Sequence, residues 1–137
     1  MRPLLWDTCA AIWIYEQAPL AKPAIDAMSA AYREGVPSYV SPITAWEIGM
    51  LSARGRLQLL LKPERWFANL FEVPGVRLAD LSPDVLIASS YLPGKPPKDP
   101  MDRIIAATAR DLGATLITRD RVLLDYGKQG HVAVVAC

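Results

Sequence analysis

Short apolar runs punctuate this chain, and between them lie longer stretches whose apolar residues recur at helical spacing. The runs are Pro3 to Trp6, Ser38 to Val40, Val76 to Leu78, Thr115 to Thr118 and Val132 to Val135. A helical stretch follows Asp7-Thr8; others run from Pro23 to Gly35, from Ile43 to Arg54, and from Pro63 to near Pro74-Gly75. Ser82-Pro83-Asp84 opens a further helix with a capping Ser and a first-turn Pro, and Asp99-Pro100 opens another that Gly113 closes. Arg121 to Tyr126 reads as a short helix. Strands this short and apolar, each followed by a helix, pair in parallel, because the intervening helices supply the crossovers that parallel neighbours need. The expected fold is α/β: a mostly parallel sheet of about five short strands with helices on both faces. With 137 residues, 52% of them apolar, and no linker or repeat, residues 1–137 form one domain with one substantial core.

Charge and composition narrow the function. Fifteen Lys or Arg stand against 14 Asp or Glu, a net charge of +1, which excludes nucleic-acid binding by a global positive field. The most basic stretch, Arg54 to Arg65, reads equally well as a solvated surface. No apolar run approaches the roughly 20 residues of a membrane span, and Asp7 falls where a secretory signal needs its apolar centre, so a cytoplasmic protein is expected. Cys9 and Cys137 form neither a zinc motif nor a disulfide framework, and both are expected reduced.

In a parallel α/β sheet ligands gather outside the carboxyl ends of the strands. Four acids are expected at that edge: Asp7 after the first strand, Glu47 in the first turns of the helix after the second, Asp102 in the first turn of its helix, and Asp120 after the Thr115 to Thr118 strand. They lie 40, 55 and 18 residues apart, so nothing local demands their meeting. Carboxylates gathered in one place repel unless a cation neutralises them, and their oxygens suit Mg²⁺ or Mn²⁺, ions equipped for phosphodiester hydrolysis. Each acid also has a plainer reading. Asp7 can cap the helix begun by Thr8; Thr44 and Glu47 fit a capping box; Asp120 between Arg119 and Arg121 can be a surface ion-pair member. Asp99 is assigned to capping, Asp102 to the metal. Thr118 can orient a water or a phosphate, with Thr8 and Asp99 as further auxiliaries, and Arg103, Arg119 and Arg121 can grip a phosphate backbone. His131 belongs at the opposite edge. A phosphoacceptor signalling domain would also gather acids and Mg²⁺ here, but would want a Lys after the last strand, where this chain reads Val134-Val135-Ala136-Cys137.

Leu4-Leu5-Trp6-Asp7-Thr8, Ser41-Pro42-Ile43-Thr44-Ala45-Trp46-Glu47-Ile48, the run from Asp99 to Ala109, and Leu116-Ile117-Thr118-Arg119-Asp120, with the closing Tyr126-Gly127 and Gly130-His131-Val132, together resemble the PIN-domain ribonucleases, and among them the VapC-type toxins of toxin–antitoxin pairs. The resemblance implies a Mg²⁺ or Mn²⁺ site on Asp7, Glu47, Asp102 and Asp120, with Asp7 and Asp102 nearest the ion and Thr118 beside the last acid. It also implies cleavage of single-stranded or looped RNA, a homodimer, and a cognate antitoxin lying in a groove supplied by Trp13, Ala27, Met28, Ala31 and Tyr32. An RNA-processing nuclease without an antitoxin is the neighbouring alternative. The chain departs from the family at Cys9 and in Lys95-Pro96-Pro97-Lys98, where many relatives carry His.

Overall fold

The structure, a computed structural model, describes residues 1–137. Five parallel strands form one sheet in the order β3-β2-β1-β4-β5: β1 (Leu4–Trp6), β2 (Ser38–Val40), β3 (Val76–Leu78), β4 (Thr115–Thr118) and β5 (Ala133–Ala136). Seven helices connect them: α1 (Thr8–Tyr15), α2 (Lys22–Arg33), α3 (Pro42–Ala53), α4 (Pro63–Leu70), α5 (Pro83–Ala88), α6 (Pro100–Leu112) and α7 (Arg121–Lys128). The expected α/β architecture is present. None of these helices is long and apolar enough to cross a membrane.

The two-residue period of the strands divides the core. Leu4, Trp6, Val40 and Ile117 point to one face, where Ala10 and Ile12 of α1, Ala24 and Ala31 of α2, Ile48 of α3 and Trp66 and Leu70 of α4 cover them. Leu5 and Leu116 point to the other and meet Ile105, Ala106 and Ala109 of α6 and Leu123 and Tyr126 of α7. β1 and the Leu116-Ile117 centre of β4, buried on both faces, are apolar without alternation, whereas the edge strand β3 exposes Arg77 and Leu78.

β1 lies at the centre, where the chain turns outward in both directions: Trp6 pairs with Val40 on one side and with Ile117 on the other. The residues after β1 and β4 therefore emerge side by side, and the Asp7 N–H donates to the Ile117 carbonyl at 3.1 Å. This reversal of strand order is the crevice in which open α/β sheets collect ligands.

Candidate active site

Asp7 leaves the end of β1 with both carboxylate oxygens engaged. Oδ1 accepts from the Ala10 N–H at 2.8 Å and caps α1, while Oδ2 accepts from the Thr118 hydroxyl at the end of β4. Capping and a place at the site are thus compatible in one side chain. Asp7 is only 6% exposed. Burial pushes its carboxyl up to about 6 against the pull of the Thr118 and Ala10 bonds, and the charges of Asp120 and Glu47 push the same way.

Glu47 reaches the same edge from α3. Its Oε1 accepts from the Thr8 hydroxyl at 2.7 Å, and that hydroxyl lies 3.1 Å from the buried Thr44 hydroxyl. The Thr44–Glu47 capping box is not formed. Ser41 is the cap, accepting from the Ile43 N–H at 3.1 Å with Pro42 at the first helical position, so α3 starts earlier and Thr44 turns into the α1–α3 contact. The signal was available: Ser41-Pro42 has the same form as Ser82-Pro83 and Asp99-Pro100, which do open helices. Burial raises the Glu47 carboxyl, the Thr8 bond opposes this, and the charge of Asp99 adds to it.

Asp99 caps α6 by accepting from the Met101 N–H at 2.8 Å, which leaves Asp102 in the first turn free of any hydrogen bond. Half-buried and facing Asp120, Asp99, Glu47 and Asp7, its carboxyl is pushed up to about 7, first by burial and then by those charges. Asp120 belongs to no ion pair; instead its Oδ1 caps α7, accepting from Val122 N–H at 2.7 Å and Leu123 N–H at 3.2 Å. Its own N–H donates to the Thr118 hydroxyl at 3.0 Å. Thr118 therefore links the two acids rather than pointing its hydroxyl hydrogen at a water or a phosphate.

The three arginines are placed differently from one another. Arg119 turns away from the acids: it donates to the carbonyls of Cys137 at 2.7 Å and Pro19 at 3.4 Å, and its guanidinium lies 3.1 Å over the Trp13 ring. Arg103 donates to the Ser89 carbonyl at 3.3 Å. Arg121 is exposed and makes no internal bond. Trp13, engaged with Arg119, is not among the residues lining a cavity of about 370 Å³ that Met28 and Tyr32 share with Ile14, Val36 and Val76. Cys9 sits next to the site, its thiol raised to about 11, first by burial and then by Asp7, Glu47 and Asp120.

The four acids face one another closely enough for their charges to matter, yet no three His, Cys, Asp or Glu side chains stand close enough together to hold an ion as they are placed. Mutual repulsion of unscreened carboxylates favours such spacing. The only ion pairs in the chain, Lys22–Asp26 and Lys128–Asp125, involve other residues. An all-carboxylate donor set with no ion-pair partner suits a hard divalent cation.

Comparison with known proteins bears on the family and the fold. The model of the PIN domain family matches residues 4–129. Ribonuclease VapC22 of Mycobacterium tuberculosis is 35% identical over 95 residues, which span 69% of this chain and 72% of the relative. Among solved structures, VapBC2 from Rickettsia felis bound to a promoter DNA fragment superposes with a TM-score of 0.65 at 13% identity, covering 98% of both chains. FitAB bound to an IR36 DNA fragment gives 0.57 at 21% identity, covering 97% of this chain and 94% of the other. FitAcB from Neisseria gonorrhoeae gives 0.55 at 22%, covering 96% and 95%. At these identities the structural likeness is one of fold, whereas the family model and the curated relative speak to descent: this chain belongs to the PIN domain family, among its VapC-type ribonucleases.

Proposed function

We propose that the chain is a divalent-metal-dependent endoribonuclease, the toxin of a toxin–antitoxin pair, cutting single-stranded or looped RNA at the carboxyl edge of its sheet. The observation that carries this reading is the delivery of four carboxylates to one edge by four separate elements, none with a cationic partner. Asp7 and Asp102 would hold Mg²⁺, or Mn²⁺ in its place, directly, with Glu47 and Asp120 completing the shell partly through water. A bound ion of this type supplies an acidified water and a counter-charge for a phosphate. The chain's own residues prepare the place for it. Thr118 and the Ala10 N–H fix the Asp7 carboxylate, Thr8 fixes Glu47, and Asp120 is held by its cap of α7. Asp102 alone is free to turn, and its raised proton affinity means that it must lose a proton before it can act as a ligand.

Side chains of a cognate antitoxin would enter the apolar cavity of about 370 Å³ between α2 and the turn before β3, lined by Met28, Tyr32, Val36 and Val73. A homodimer in the cytoplasm is part of the same reading, and sedimentation of the purified chain would show its mass. The decisive experiment is cleavage of a labelled RNA by pure protein with and without Mg²⁺ or Mn²⁺, beside the Asp102→Asn variant. Metal-dependent cleavage lost in the variant supports the proposal. Full-rate cleavage by the variant refutes it.

A further inference from the structure

An acidic edge repels the phosphates it must cut, so cations around it have to hold the strand. Arg119 and Arg103 donate to main-chain carbonyls of this chain, which leaves Arg121 at the start of α7 and Lys98 just before the cap of α6 as cations without an internal partner. We propose, building on the nuclease reading, that Pro93–Lys98 is a rigid strap presenting Lys98 to the RNA phosphate backbone, with Gln129 as the positioning residue that sets the strap.

The strap is anchored at its start. Gln129, just beyond α7, accepts from the Lys95 N–H at 2.9 Å and donates to the Lys95 carbonyl at 3.0 Å, so one carboxamide grips both main-chain groups of a single residue. The Tyr126 hydroxyl donates to the Pro93 carbonyl at 2.7 Å. Between these anchors Gly94 adopts φ +70°, and a β-carbon there would stand 2.6 Å from Gln129 Oε1 and 2.7 Å from His131 Nε2. From Lys95 the chain passes through Pro96 and a buried Pro97 to Lys98, and then directly into Asp99, the cap of α6. Both neighbours of Lys98 are pinned, one by burial and the other by its bond to the Met101 N–H.

The Lys98 side chain itself is exposed and has neither an ion-pair nor a hydrogen-bond partner in the chain. It precedes the first turn that carries Asp102. A cation on a fixed main chain loses less freedom on meeting a phosphate than one on a mobile loop.

The test is steady-state cleavage of a labelled single-stranded RNA of mixed sequence in Mn²⁺. Lys98→Ala should raise KM about fivefold while kcat shifts less than about twofold, and flatten the salt dependence of log KM by about 0.7, the value for one phosphate contact on a single strand. Lys98→Arg should restore KM, and Lys128→Ala, an equal charge change outside the strap, should not raise it. Gln129→Ala should raise KM in the same direction, and the double variant with Lys98→Ala should be no worse than Lys98→Ala alone, as coupled residues behave. Thermal melts accompany each variant; if Gln129→Ala does not fold, Gln129→Glu, which keeps the acceptor for Lys95 N–H, takes its place. Wild-type KM in Lys98→Ala, additive effects in the double variant, or a fall in kcat at constant KM would each overturn the proposal. Calorimetric Mn²⁺ uptake separates the two levels. A wild-type chain that neither binds Mn²⁺ nor cleaves defeats the nuclease reading itself, whereas one that does both with Lys98→Ala indifferent defeats only the strap.

Discussion

The two edges of the sheet use similar residues in opposite ways. At the amino edge polar groups close on one another: Arg110 donates to the His131 carbonyl, the His131 ring lies 5.8 Å from that of Tyr126, and Gln129 and Tyr126 hold the strap's main chain. At the carboxyl edge Asp102 has no partner, and no cation pairs with any of the four acids. The satisfied edge adds a little stability, since its hydrogen bonds are exposed at Gln129 and Arg110 and part-buried at Tyr126 and each contributes at most about 1 kcal/mol. The charge left without a cation at the carboxyl edge costs stability, a cost that the proposed metal site would explain. Substitutions at the two edges should therefore move stability and activity in opposite senses.

The largest expected effect is on cleavage. Asp7→Asn and Asp102→Asn should each reduce RNA hydrolysis by about two to three orders of magnitude or more, measured as single-turnover rates. At the amino edge Gly94→Ala should leave the acids in place but lower stability by about 1–3 kcal/mol, read from urea melts, because it adds a β-carbon at positive φ against Gln129 and His131. Equal stability loss from substitutions at both edges would erase the distinction drawn between them.

A smaller effect of opposite sign is expected from Asp102→Asn in chelator. The Asp102 carboxyl is raised to about 7 in the folded chain from 3.8, so the folded state binds the proton more tightly than the unfolded one. Its favourable contribution is complete below about pH 4 and is lost as pH rises through about 7. Asp7, raised to about 6, adds loss over the lower part of that window. Removing the charge at Asp102 should stabilise the metal-free chain at pH 8 by an amount of order 1 kcal/mol, after discounting for its half-exposed position, and flatten the stability–pH curve. Smallest is the metal-linked shift: Mn²⁺ should raise Tm more at pH 8 than at pH 6, with proton release on binding seen in buffers of different ionisation enthalpy. A Tm increment independent of pH would show that the raised carboxyls are not the ligands.

Much of the molecule was readable in one dimension because its signals are local. Proline after a capping residue marks the starts of α5 and α6, and glycine in the left-handed region after α6, Gly113 at φ +61°, marks a stop. At Ser41-Pro42 the same signal follows directly on a strand, and Ser41 fills the capping role that the Thr44–Glu47 spacing suggests for Thr44. The last strand lies one residue later than its apolar run, at Ala133–Ala136, because pairing with Thr115 to Thr118 sets its register. A reader of the sequence could also list Asp7, Glu47, Asp102 and Asp120, since each directly follows a strand or sits early in a helix.

What those residues bond to was not readable. Thr118 and Asp7 are 111 positions apart, Thr8 and Glu47 are 39 apart, and Gln129 and Lys95 are 34 apart; each pair meets only because parallel strands lay distant segments side by side. The same holds for Arg119, whose neighbours in sequence placed it by the acids while the end of β5 and the Trp13 ring draw it away. Periodicity, caps and turns depend on a few adjacent residues, and so amino-acid order alone determines the elements and the α/β class. Hydrogen-bond partners, proton affinities and the choice of which cations remain free depend on distances across the sheet, and only the assembled chain decides them.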